Sequence, residues 1–145
     1  MSIKENKELM RKAFEEFNAT KGDIAQLHSL YAKYCEPTFI AHSVLRGDAN
    51  SETVIQAMVK NFVAFPDFKI IADDMLAEGD KVVTRYTIQG THIGTFMGIA
   101  GKGKKLNIKG VQIDKIVDGK RVENWDFPDA LGLLTQVGAI LAPKM

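Results

Sequence analysis

Asp126 is the residue best placed to do chemistry in this chain. It follows Glu123-Asn124-Trp125 and leads into Phe127-Pro128-Asp129. A carboxylate set among apolar and aromatic neighbours on a β-strand loses hydration. Lost hydration raises its pKa, and a raised pKa makes it a base able to move protons near neutral pH. The bland alternative is a strand-end aspartate that bonds local backbone or meets Lys120 or Arg121. Asp129, after Pro128 and before a helical pattern, reads as a helix cap. The three histidines, His28, His42 and His92, are far apart and show no HxxxH or HExxH spacing, so no metal site is expected. His28 falls near a helical stripe and reads as surface or satisfied core. His92 sits between Gly90 and Gly94, where the glycines let backbone or ligand approach closely. Gly98 to Lys105 nearly spells a phosphate loop, G-x-x-x-x-G-K, but it lacks the Ser or Thr and a strand follows where a helix must begin. It reads as a solvated, mobile loop whose lysines face water or greet an acidic ligand.

The elements that position these residues can be read from periodicity. Ser2 and Glu5 form a capping box for a helix carrying Leu9, Met10, Ala13, Phe14 and Phe17 on one face. Asp23 and Gln26 open a second helix with Ile24, Leu27, Leu30, Tyr31 and Tyr34 as its stripe. Residues 38–42 read as short and extended. A third helix begins near Asn50 or Ser51, buries Val54, Ile55, Met58 and Phe62, and ends at Phe65-Pro66-Asp67. The period then switches to two over residues 68–78, 81–90, about 104–117 and 121–127, with turns at Gly79-Asp80 and Asp118-Gly119. A last short helix spans 130–137 and is closed by Gly138. Helices first and antiparallel strands after predict an α+β domain with the helices on the concave face of a curved, mainly antiparallel sheet. Such a sheet does not fill its concave side with its own side chains, which leaves a pocket under the helices.

Composition narrows the function classes. The 145 residues, 46% hydrophobic and 26% charged, suit one soluble domain over 1–145 with a sizeable core. The formal charge is +1 with acids and bases interspersed, so neither nucleic acid nor an anionic membrane is an expected partner. Met1 to Lys12 lacks the apolar core of a signal peptide, and no apolar run is long enough to cross a bilayer. Cys35, the single cysteine, has no internal disulfide partner, which fits a reducing cytoplasm. It reads as a small buried residue.

The segments FPDF, AEGDKVVTRYTIQGTHIGTFMGI and IVDGKRVENWDFPDALGLLTQVG together resemble the SnoaL-like polyketide cyclases of the nuclear-transport-factor-2-like superfamily. The resemblance covers residues 65–138 closely and the helical half more loosely. It implies a cone-shaped fold and a cofactor-independent cyclase or isomerase that closes a ring by an aldol step. The substrate implied is a small apolar molecule with carbonyl groups. It also implies that Asp126 is the acid/base, and that two copies pair through the outer face of the sheet. The family carries a histidine on the preceding strand; counted back from the Asp-Gly-Lys turn, that position is Gln112 here. Glutamine donates and accepts hydrogen bonds but takes no proton near neutral pH.

The site expected on that basis has Asp126 and Gln112 as its chemical pair. Asn124, His42, His92, Phe14, Phe17, Tyr34, Met58 and Phe62 are expected around the substrate, with Tyr86 and Met97 as weaker candidates. Trp125 and Glu123 are expected on the opposite face. Register gives a test. A plain two-residue turn at Asp118-Gly119 sets Asp126 opposite Val111; a three-residue turn with a glycine bulge moves it opposite Gln112. The resemblance requires Gln112 and Asp126 on one face, so the bulged turn is expected. Three other readings stay open: a non-catalytic binding module on the same fold, which the absent histidine favours; a scaffold with a filled cavity; and a dehydratase (lyase) or epoxide hydrolase, which needs further polar groups to activate water.

Overall fold

The computed structural model describes residues 2–141. Helix α1 (Ile3–Thr20) begins at Ser2, whose Oγ accepts from the Glu5 amide at 3.1 Å while the Glu5 carboxylate accepts from the Ser2 amide at 3.3 Å. That reciprocal box satisfies two amides a helix start leaves open. Asp23 caps α2 (Ile24–Tyr34), Asn50 caps α3 (Ser51–Ala64) and Asp129 caps α4 (Ala130–Gln136), each by accepting a backbone N–H of the first turn.

Six strands build one sheet: β1 (Cys35–Ser43), β2 (Gly47–Asn50), β3 (Lys69–Glu78), β4 (Lys81–Thr91), β5 (Lys105–Val117) and β6 (Lys120–Pro128), in the spatial order β2-β1-β6-β5-β4-β3. All neighbours are antiparallel except β1 and β6, which run parallel. The strand β2 is an addition to the sequence reading; Gly-Asp-Ala-Asn has neither β propensity nor a usable alternation. Both sheet edges are managed. β2 has only four residues, and the amides of Ile70 on β3 are clamped by Asn18 of α1, which donates Nδ2–H to the Ile70 carbonyl at 2.8 Å and accepts its N–H at 2.9 Å.

The result is an α+β fold, four helices against a curved, unclosed mixed sheet. Buried side chains form three clusters, one around Phe17, Leu27, Phe62 and Phe68, one around Tyr34, Phe39 and Val54, and one around Met10, Phe14 and Val82. Full burial of one such side chain is worth roughly 1.5–3 kcal/mol. Members of all three clusters line one hollow between α1, α2, α3 and the sheet. Among the described residues no helix is long and apolar enough to cross a membrane.

Candidate active site

The turn between β5 and β6 has two residues, not three. Asp118 and Gly119 both take positive φ, 50° and 77°, and Val117 pairs with Lys120. That is a mirror-image hairpin turn, which suits the right-handed strand twist. The extra residue sits further along. Ile116 pairs with Arg121 but Lys115 pairs with Glu123, so Val122 is a bulge on β6. The bulge shifts the register by one and sets Asp126 opposite Gln112 and Asn124 opposite Asp114. Expecting the bulge inside the turn is therefore corrected, while the pairing of Gln112 with Asp126 is the one the structure has. Gln112, Asn124 and Asp126 all line the hollow.

Asp126 is half-buried and has one side-chain partner: Tyr86 on β4 donates its hydroxyl to Oδ1 at 2.6 Å. Burial pushes the Asp126 carboxyl above the ordinary carboxylate range; the Tyr86 hydrogen bond, and the nearby Arg46 charge, pull the other way. Burial and the Asp126 charge together push the Tyr86 phenol up, so it stays a donor. Tyr86 reaches Asp126 because Gly110 stands between them on β5. A Cβ at Gly110 would lie 2.4 Å from the Tyr86 Cζ and Oη. No side chain but hydrogen fits that place unless the ring moves.

Further along the same face four side chains form a buried ion network. Asp114 is fully buried and accepts from Arg121 Nε at 2.9 Å and Nη2 at 2.7 Å, from Asn124 Nδ2 at 3.0 Å and from Gln112 Nε2 at 2.7 Å. Burial works against the Arg121 charge, but Asp114 more than offsets it and holds the guanidinium protonated. Arg121 therefore meets Asp114, and Lys120 caps the end of α2 through the Ala32 and Lys33 carbonyls; neither pairs with Asp126. The network was legible only as alternation: Gln112, Asp114 and Ile116 share one face of β5, and the inward aspartate demands a cation.

Two adjoining hollows share Arg46, Met58, Ile70, Gln112 and Asp126. The inner one, about 90 Å³, includes Phe14, Phe17 and Tyr34 in its wall; the outer one, about 290 Å³, is walled by Phe65, Phe68, Tyr86, Ile88, Met97 and Leu133 among others. Asp126 is thus at the junction of a mainly apolar, two-lobed cavity. Seven of the expected wall residues line it: Asn124, Phe14, Phe17, Tyr34 and Met58, and the weaker candidates Tyr86 and Met97 in the outer hollow.

Three expected contacts are withdrawn. Phe62 is core, packed tilted against Phe17 and edge-on against Phe68 at 5.6 and 5.3 Å between ring centroids. His92 is buried under the 92–104 loop, between Phe65 and Phe96, and lines neither hollow. Its carbonyl accepts from Gly103 and its amide donates to Lys104, so that loop is tied down rather than free. His42 points to the outer face. Strand alternation puts Ala41 inward and His42 out, where its nitrogens meet Asp48 and Glu123 at 2.6 Å and its ring stacks on Trp125. Asp48 and Glu123 hold the His42 imidazole above its usual range. His28 pairs with Glu52 on the surface, and Cys35 is buried, with burial pushing its thiol up. Among the described residues no group of three His, Cys, Asp or Glu side chains is arranged to hold a metal.

A helix-covered curved sheet with a carboxylate at the waist of an apolar cavity defines the class. The chain belongs to the SnoaL-like polyketide cyclase family, whose model matches residues 8–137. It is similar to the aklanonic acid methyl ester cyclase DnrD of Streptomyces peucetius, 28% identical over 134 residues and covering 90% of this chain and 89% of that one. The cyclase AcmA of Streptomyces galilaeus, of the same named activity, is 25% identical over 129 residues, 89% of this chain and 88% of its own. Among solved structures, AclR from Streptomyces galilaeus, named as a candidate hydroxylase, superposes with a TM-score of 0.84 at 27% identity, covering 99% of this chain and 87% of that one.

Proposed function

We propose that this protein is an enzyme, a cofactor-independent cyclase of the SnoaL-like kind that closes a ring on an apolar, carbonyl-bearing molecule by an aldol step. The observation that carries the reading is Asp126, held at the junction of two apolar hollows with its pKa raised by burial. Asp126 removes a proton flanked by carbonyls, the enolate attacks a further carbonyl, and the protonated Asp126 returns the proton to the new alkoxide. Carbon acids of that type are acidic enough for one desolvated carboxylate, which supplies about 10²–10⁴-fold. Tyr86 fixes the orientation of the carboxylate. Gln112 and Asn124 each spend one amide hydrogen on Asp114 and keep the other hydrogen and an oxygen for the guest. Two copies pairing through the outer face of the sheet, in a cytoplasmic setting, complete the proposal.

The test is Asp126→Asn against a panel of polyketide-like ketones. Turnover should fall by at least about 10²-fold. A second readout separates chemistry from misfolding. A carboxyl whose folded-state pKa is raised binds its proton more tightly when folded. Its stabilising effect is full below the unfolded pKa and is lost as pH rises through the folded value. At neutral pH the ionised Asp126 works against the fold, so the asparagine variant should melt no lower than the parent, and its advantage should fade on acidification. Unchanged turnover in a well-folded variant removes the proposed base.

A further inference from the structure

Arg46 lies in the turn between β1 and β2, three residues beyond Ser43, which pairs with Asp126 across the parallel β1/β6 ladder. The chain curls there so that Arg46 contributes to the walls of both hollows, as Asp126 does. Its Nη1 is buried and has no hydrogen-bond partner among the described residues. Nor does any carboxylate among the described residues lie within ion-pair distance of its guanidinium. The other cation of the inner wall, Arg121, is committed, and the wall amides Gln112 and Asn124 are neutral. Asp114 takes Arg121 through two nitrogens and one amide hydrogen each from Gln112 and Asn124. A buried guanidinium N–H without an acceptor is costly unless a guest supplies one. The wall of this cavity therefore presents one unspent cation next to one base.

We infer that Arg46 is a catalytic residue of the proposed ring closure, the group that holds the enolate oxygen formed when Asp126 takes the substrate proton. This rests on the reading of Asp126 as the base. The Asp126 carboxylate accepts the proton from carbon. The C–H electron pair becomes the C=C bond of the enolate, and the carbonyl π pair moves onto oxygen. The Arg46 guanidinium turns its unpartnered N–H to that oxygen and donates to it. When the enolate carbon bonds to the second carbonyl, the negative charge passes to the new alkoxide, the first carbonyl is restored, and protonated Asp126 gives its proton back. No redox partner is needed. A charged donor fixed beside the forming oxyanion is worth more in an apolar cavity than in water, because nothing has to reorganise when the charge appears. It also gives the site an electrophile that the missing histidine does not provide.

The probe is 4-nitrophenol, an aromatic whose ionised oxygen stands in for the enolate and whose anion is yellow. It is titrated spectrophotometrically in an Asp126→Asn background, so that the carboxylate does not repel the anion. In that protein the bound phenol should ionise at lower pH than the free phenol, with about a 10- to 100-fold preference for the anion. Adding Arg46→Met should reverse the shift, since an apolar cavity alone disfavours the charged form. Arg46→Lys should restore part of it and shows that the turn tolerates substitution. Equal anion preference with and without Arg46, or no anion preference in the Asp126→Asn protein, overturns the inference. Failure of the base is seen separately: turnover surviving Asp126→Asn sinks the Asp126 assignment whatever nitrophenol does.

Discussion

Asp126 is governed by two opposed influences. Removal from water raises its pKa, and the Tyr86 hydroxyl at 2.6 Å stabilises the ionised form and lowers it. A general base acts when ionised, so the rate rises with pH as Asp126 loses its proton, and the raised pKa puts this limb above the ordinary carboxylate range. Tyr86→Phe removes the stabilising donor. The pKa then rises further, and the acidic limb of the rate profile should move to higher pH. A limb that stays in place, or moves to lower pH, shows that Tyr86 does not tune the carboxylate. The sequence offers Tyr86 only as a weaker wall candidate and its bond to Asp126 came from geometry, but Gly110 was a visible sign. A glycine inside a long alternating strand marks a place where something approaches closely, and here it is the tyrosine ring.

Between β5 and β6 the controlling element is the bulge at Val122. It changes which residues face the cavity without altering the turn, since the side-chain period of a strand is two. Inward of the bulge, Arg121 and Asn124 converge on the buried Asp114. Removing one partner of such a pair leaves the other charge buried and costs about 3–5 kcal/mol, whereas neutralising both costs far less. Arg121→Met should lower stability by that order, and Asp114→Asn with Arg121→Met should recover most of it, because the asparagine oxygen still accepts from Asn124 and its NH2 donates to the Gln112 oxygen once that amide flips. Denaturant unfolding of the two variants decides this. Similar losses in the single and double variants indicate that Arg121 matters by packing on Phe39, 5.1 Å below it, rather than by charge.

At the scale of the whole molecule, the sheet has two unlike faces. The concave face carries the cavity. The outer face carries Val111, Trp125 and Phe127 side by side on β5 and β6, with Ile40 and the His42 stack beside them on β1. Phe127 is about half exposed, at 51%. An aromatic there suits the proposed pairing of two copies, and a lysine does not. Phe127→Lys should turn a dimer into a monomer by light scattering, while ligand binding in the cavity persists, since its walls come from one chain. A monomeric parent protein sinks the pairing.

Local rules were enough for the four helices and for strands β3 to β6, but not for β2 or the full length of β1. Capping residues at Ser2, Asp23, Asn50 and Asp129, a 3.6 period followed by a period of two, and the Asp118-Gly119 turn each act within a few residues, so the sequence states them directly. It also singled out Asp126, because its neighbours along the strand are apolar or aromatic. What it did not state depends on residues far apart in the chain. Val122 was indistinguishable from any other strand residue until β5 and β6 were paired. His42 differs from Ala41 only in which face its position takes. Tyr86 reaches Asp126 across an intervening strand, and Arg46 joins the walls of the same cavity from a turn that carries no motif. Packing in three dimensions brings these groups together, and periodicity carries no record of such distances.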